Sequence, residues 1–136
     1  MAVLRSIPLL ALIWILYNVV AFFGVATMGH QVFSFSLTSG AVWTINVGEL
    51  LIIVGLLALF VEVFRSTRTS TASVLNHILS TLVFVAFLVE FITVERAGNS
   101  VFFILMVMAL LDVIAGFSVT IFTARRDLTV GENVEL

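Results

Sequence analysis

The chain of 136 residues contains no cysteine. That removes disulfides, thiolate metal ligands and cysteine nucleophiles together. Lysine is absent as well, since all six cationic side chains are arginines, which excludes a Schiff-base lysine and a phosphate-binding P-loop. Charge of any kind is scarce: 10% of residues are charged and the net charge is −2, so no basic stripe offers a nucleic-acid footprint. Neither H-E-x-x-H nor G-x-S-x-G occurs, which leaves the common metalloprotease and hydrolase chemistries without a motif. The single proline, Pro8, sits where an apolar run begins. In a first helical turn it removes no needed hydrogen bond.

What is present is hydrocarbon. The chain is 62% hydrophobic, with a mean hydropathy of +1.27. A water-soluble domain of this size has too little interior to hide that surface, so the solvent is expected to be lipid. Four apolar segments are long enough to cross a bilayer, which takes roughly 20 residues. They are 7–29, 47–64, 74–94 and 100–124. The first exceeds the length of a signal-peptide core and is interrupted by Asn18, so it reads as a retained helix. The expected architecture is an all-α membrane protein, one domain over 1–136, built as an antiparallel bundle of four transmembrane helices. A mobile polar tail is expected over 125–136.

Arginine placement predicts the orientation. Arg5, Arg65, Arg68, Arg125 and Arg126 fall on one side of this topology and only Arg96 on the other. By the positive-inside rule both termini face the cytoplasm. On the outer side, "HQVFSFSLTSGAVWTIN" alternates Phe33, Phe35 and Leu37 with Ser34 and Ser36, then turns at Gly40 towards Trp43. That pattern predicts a short β-hairpin over about 32–45. An isolated hairpin is marginal in water, so this one is expected to dock on the bundle, a partner or the headgroup layer through Phe33, Phe35 and Trp43. In the inner loop "RSTRTSTAS", Ser73 or a neighbour is expected to cap helix 3. The brief "ERAGN" connection makes helices 3 and 4 an antiparallel pair.

Few polar residues interrupt the apolar segments, and their depths follow from a rise of about 1.5 Å per residue. Asn18 and Asp112 fall near the centres of helices 1 and 4. Glu49 and Glu90 lie about 10 Å and about 9 Å outward of the centres of helices 2 and 3. Glu62, three residues before Arg65, suits a salt bridge at the inner end. In an up-down bundle helices 1 and 4 are neighbours, so the Asn18 amide, or the Tyr17 hydroxyl beside it, is the expected partner of Asp112. A carboxyl at mid-membrane is cheapest in its neutral, hydrogen-bonded form. Ala109, Asp112, Gly116, Thr120 and Thr123 make one small, polar stripe, and Gly48, Gly55, Ala58 and Glu62 make another. Such stripes are packing seams in lipid. His30 and His77 lie at opposite ends of the topology, which disfavours a shared haem or metal. His77 with Asn76 suits a cap on helix 3 or the headgroup region. Neither a cofactor nor a metal site is expected.

The stretches "SGAVWTINVGELLII", "RSTRTSTASVLNH" and "LLDVIAGFSVTI" followed by "ARRD" resemble a group of small four-helix inner-membrane proteins of alphaproteobacteria. The resemblance covers nearly the whole chain and implies a bacterial inner membrane. It brings no catalytic residues, ligand or partner. Two functions are weighed from the residues themselves. The first is a non-enzymatic accessory or scaffold subunit of a larger membrane assembly, or a homo-oligomer, whose partners are lipid and other membrane subunits or itself. The alternative is a small proton or cation transporter using Asp112, Glu49 and Glu90, because ionisable residues within a membrane default to function.

Overall fold

A computed structural model of the chain describes residues 7–24, 27–66 and 71–132. Four helices and one two-stranded sheet are described: α1 (Leu9–Phe22), β1 (Gln31–Ser36), β2 (Val42–Asn46), α2 (Val47–Ser66), α3 (Thr71–Thr93) and α4 (Ser100–Glu132). A 3₁₀ turn, Glu95–Ala97, joins the last two helices. The spans Val47–Arg65, Val74–Thr93 and Ser100–Arg126 are long and apolar enough to cross a membrane.

The first helix is shorter than its apolar run. Gly24 adopts φ +65, a left-handed conformation that ends a helix cheaply only at glycine. The N–H of Phe23 closes the last turn on the carbonyl of Val19. Fourteen residues give about 21 Å of helix, short of a hydrocarbon core of about 30 Å. The fourth helix errs the other way. It continues beyond its apolar run to Glu132, because an established helix extends at little cost when no proline interrupts it. Arg5, Arg68 and the last four residues lie outside the described residues.

Helix α4 packs along both α2 and α3, and α1 lies against α2 and α3 rather than beside α4. Its main meeting with α4 is the edge contact between the Tyr17 and Phe102 rings, 4.7 Å between centroids. Phe91 meets Phe103, Phe87 meets Phe102, and His77 meets Gly116, an order that makes α3 and α4 antiparallel. The buried stripe of α4 is Phe102, Leu105, Met106, Ala109, Asp112, Val113 and Gly116, spaced at three and four residues as one helical face requires. Leu10, Ile13 and Tyr17 of α1, Leu51 of α2 and Phe87 of α3 complete the core. Glycine sets the closest approaches. A Cβ on Gly55 would meet Leu105 Cδ2 at 2.9 Å, and one on Gly48 would meet Val101 Cγ2 at 2.6 Å. The expected small-residue seam on α2 is therefore a packing contact with α4.

The hairpin pairs Phe35 with Trp43 and Ser34 with Thr44, with an irregularity between Gln31 and Phe33. Leu37 and Ala41 close the turn through backbone hydrogen bonds, and Gly40 takes φ +85. The sheet is tied to its helix by a reciprocal cap. Asn46 N–H donates to Glu49 Oε2 at 3.0 Å, and Glu49 N–H donates to Asn46 Oδ1 at 2.9 Å. This capping box satisfies two groups that a helix start otherwise leaves open.

Candidate functional site

The buried polar side chains gather at two levels separated by an apolar layer. At the inner level, Glu62 is fully buried on α2. Its Oε2 accepts the backbone N–H of Leu9 at 2.7 Å, and its Oε1 accepts Asn76 Nδ2 at 2.9 Å. The first turn of any helix has N–H groups without intrahelical partners, and the positive end of the helix dipole favours an anion there. Helix α1 begins inside the fold, with Pro8 at its cap and no side-chain cap of its own. A carboxylate from α2 supplies what the local sequence lacks. Arg65 stands at 4.0 Å from the same oxygen, so the expected ion pair is present but secondary to two shorter hydrogen bonds.

The sequence reading placed Asn76 and His77 at a helix end or in the headgroups. Both are instead buried on α3, with Ser80; Asn76 bonds Glu62 of α2. The ring of His77 lies over Gly116, where an added Cβ would stand 2.1 Å from Nδ1. Glycine at 116 is what admits the imidazole. Asp112, one turn before Gly116, is 4% exposed and faces Ser80 and Glu62 rather than α1. The Ser80 hydroxyl lies against the Asp112 carboxylate, and Asn76 Oδ1 is buried without a hydrogen-bond partner. Thr120 and Thr123, the other members of the expected stripe, have side chains outside the described set.

At the outer level, Asn18 and Tyr17 do not meet Asp112. Asn18 Nδ2 donates to the carbonyl of Trp14 at 3.0 Å and to Glu90 Oε2 at 3.2 Å. The Tyr17 hydroxyl donates to the carbonyl of Arg96 at 3.0 Å and accepts Asn99 Nδ2 at 2.6 Å. Asn99 also caps α4, its Oδ1 accepting the N–H of Phe102 at 3.1 Å. Arg96 donates to the carbonyl of Ala21 at 3.0 Å and stands 5.5 Å over the Phe22 ring. One short loop thus latches the end of α1. Glu49, expected at the level of Glu90, is exposed and occupied in its capping box.

The pairing of Asn18 with Asp112 failed because depth along a helix does not give its neighbours. With α1 opposite α4 rather than beside it, the polar groups of α1 turn to α3. Ser80 and Asn99 were the residues of these networks that sequence reasoning passed over. Asn99 carried a usable signal, because asparagine before an apolar run is a helix cap.

Between the two levels stand Phe87, Phe102 and Leu105, each with no exposed surface, and Ala109 at 1%. The hairpin is the opposite case. All of β1 is exposed, as are Val42 and Trp43, and Ile45 alone among its apolar side chains is buried. Phe33 packs edge-on to Trp43 at 6.2 Å. Among the described residues, no group of three or more His, Asp or Glu could hold a metal ion. No protein family, curated protein or solved structure matches the chain.

Proposed function

We propose that the protein is a small integral membrane subunit without catalytic activity, which joins a larger membrane assembly through its outer hairpin. In this reading the three long apolar helices cross a bacterial inner membrane and α1 completes an antiparallel bundle. The termini lie on the cytoplasmic side, where five of the six arginines are placed. The observation that carries the reading is the uncovered aromatic face of the hairpin, with Phe35 at 60% and Trp43 at 49% exposure. Exposed apolar patches of this kind mark interaction sites in folded proteins. The segment from Gln31 to Asn46 has no charged residue, whereas a surface built for anionic headgroups carries arginine or lysine. The occupant that fits is an uncharged, apolar surface on another membrane protein.

Transport through the monomer has less support. Glu49 caps a helix, Glu90 holds Asn18, and packed Phe87, Phe102 and Leu105 stand between the two polar levels. The test is the native mass of the protein extracted gently from its own membrane into lipid nanodiscs, for the wild type and for Phe35→Ser with Trp43→Ser. An assembly with different subunits that is lost in the double variant supports the proposal. A monomer, or a complex indifferent to the hairpin, overturns it.

A further inference from the structure

We infer that the partner docks by strand addition: an extended, uncharged segment of a different membrane subunit pairs with the outer edge of β1 at Ser34 and Ser36. The inference rests on the reading of the hairpin as the docking surface. The ladder decides which backbone groups are available. The N–H of Leu37 donates to the carbonyl of Ala41 at 2.8 Å. From there the register runs Ser36 with Val42, Phe35 with Trp43, Ser34 with Thr44 and Phe33 with Ile45. Opposed residues of an antiparallel pair alternate between hydrogen-bonded and non-bonded. Phe35 and Phe33 therefore turn their backbone groups to β2, and the N–H and C=O of Ser34 and Ser36 point away from it. Among the described residues the sheet has two strands, so those groups face no third strand.

Proteins usually blunt such an edge with a charge, a proline or a bulge. Strand β1 has neither charge nor proline, and its irregularity lies between Gln31 and Phe33, which leaves 33–36 regular. All of β1 is exposed, whereas β2 buries Ile45 and runs straight into α2. Two demands then meet at one place. Side chains alternate across a strand, so Phe33, Phe35 and Trp43 share a face, as the contact of the Phe33 and Trp43 rings shows. That face calls for apolar cover, and the edge calls for alternating donors and acceptors. Acyl chains cover rings but offer an edge nothing, and the flank of a helix has its backbone groups already paired. An added strand answers both, its main chain bonding the edge and its alternate side chains extending the two faces. The segment that fits alternates apolar residues, level with Phe35, with small polar ones, level with Ser34 and Ser36. It is uncharged there, because Gln31 to Asn46 offers no countercharge and a lone charge against the rings would lose its hydration.

The experiment is amide hydrogen exchange on the full chain in nanodiscs, as the native complex and after separation from it, with native mass read on the same samples. In the complex the Ser34 and Ser36 amides are expected to exchange about 100-fold more slowly than in the separated protein. Phe33 and Phe35, bonded to β2, are protected in both. The variant Ser34→Pro with Ser36→Pro removes the outward N–H groups and leaves those that face β2, the position an edge strand tolerates. It is expected to lose the complex while Phe33 and Phe35 stay protected. Should the prolines unfold the hairpin, protection at Phe33 and Phe35 is lost, and exchange in the wild type decides alone. Equal exchange of Ser34 and Ser36 in the two wild-type samples overturns the inference. A complex that survives the prolines but not Phe35→Ser with Trp43→Ser also overturns it, and leaves the docking reading standing. A wild type that is monomeric in its own membrane overturns the docking reading and takes the inference with it. A complex of this chain alone, with Ser34 and Ser36 protected, assigns the edge to a second copy and overturns the different subunit.

Discussion

Glu62 illustrates how one side chain can be legible in the sequence and still be misread. Its depth and its spacing to Arg65 were visible, and an ion pair at three residues was the obvious reading. The larger demand on it comes from residue 9, which no local pattern reveals. Removing the carboxylate strands the Leu9 N–H and the Asn76 amide in an apolar interior. Glu62→Leu is expected to cost about 2–4 kcal/mol, and Glu62→Gln, which keeps an acceptor, about 1 kcal/mol. Arg65→Gln is expected to cost less than about 1 kcal/mol, as half-exposed ion pairs do. The three values, from reversible unfolding in detergent, rank the helix cap above the salt bridge. A larger loss for Arg65→Gln than for Glu62→Gln reverses that ranking.

Gly116 poses a second question at the same scale, and the answer is steric. A methyl group there would occupy the space of the His77 ring, and both residues are buried. Gly116→Ala is expected to destabilise by about 1–3 kcal/mol, the usual cost of overpacking. Combining it with His77→Ala should restore part of the loss, since the two changes share one space and cannot be additive. Additive losses in that cycle mean that the ring and the glycine are not in contact.

Helices are where the sequence was most informative, and where its limits have clear physical causes. Runs of apolar residues gave α2 and α3 to within a few residues and the start of α4, because a long run without proline satisfies its backbone groups within one helix. Alternation gave the hairpin and its glycine turn. The end of α1 was missed because hydropathy continues past Phe22 while the backbone turns at Gly24, and composition does not report φ. The connection between α3 and α4 was legible as a tight turn but not as a latch. Asn99 there serves three roles: it caps α4, binds the Tyr17 hydroxyl and reaches the Arg96 carbonyl at 2.8 Å. Asn99→Ala is therefore expected to cost about 2 kcal/mol, against about 1 kcal/mol for losing a cap alone. Tyr17→Phe in the Asn99→Ala background should cost less than in the wild type, and equal costs would separate the two residues.

The arrangement of the whole molecule was the least legible, because the order of helices around a core depends on side-chain fit between segments distant in sequence. Helix α1 packs mainly on α2 and α3, so Asn18 bonds Glu90 and Asp112 meets Ser80 and Glu62 instead. The sidedness of the chain, by contrast, rests on charge alone and can be tested cleanly. With no native cysteine, a single introduced thiol reports only its own position. Ser39→Cys lies in the hairpin turn and Ala124→Cys near the inner end of the α4 apolar run; both positions are exposed. If α4 crosses the bilayer with the hairpin outside, a membrane-impermeant maleimide added to intact cells labels Ser39→Cys and spares Ala124→Cys until the membrane is opened. Labelling of Ala124→Cys alone in intact cells inverts the orientation. Labelling of both before lysis means that α4 does not cross, and the membrane-subunit proposal falls with it.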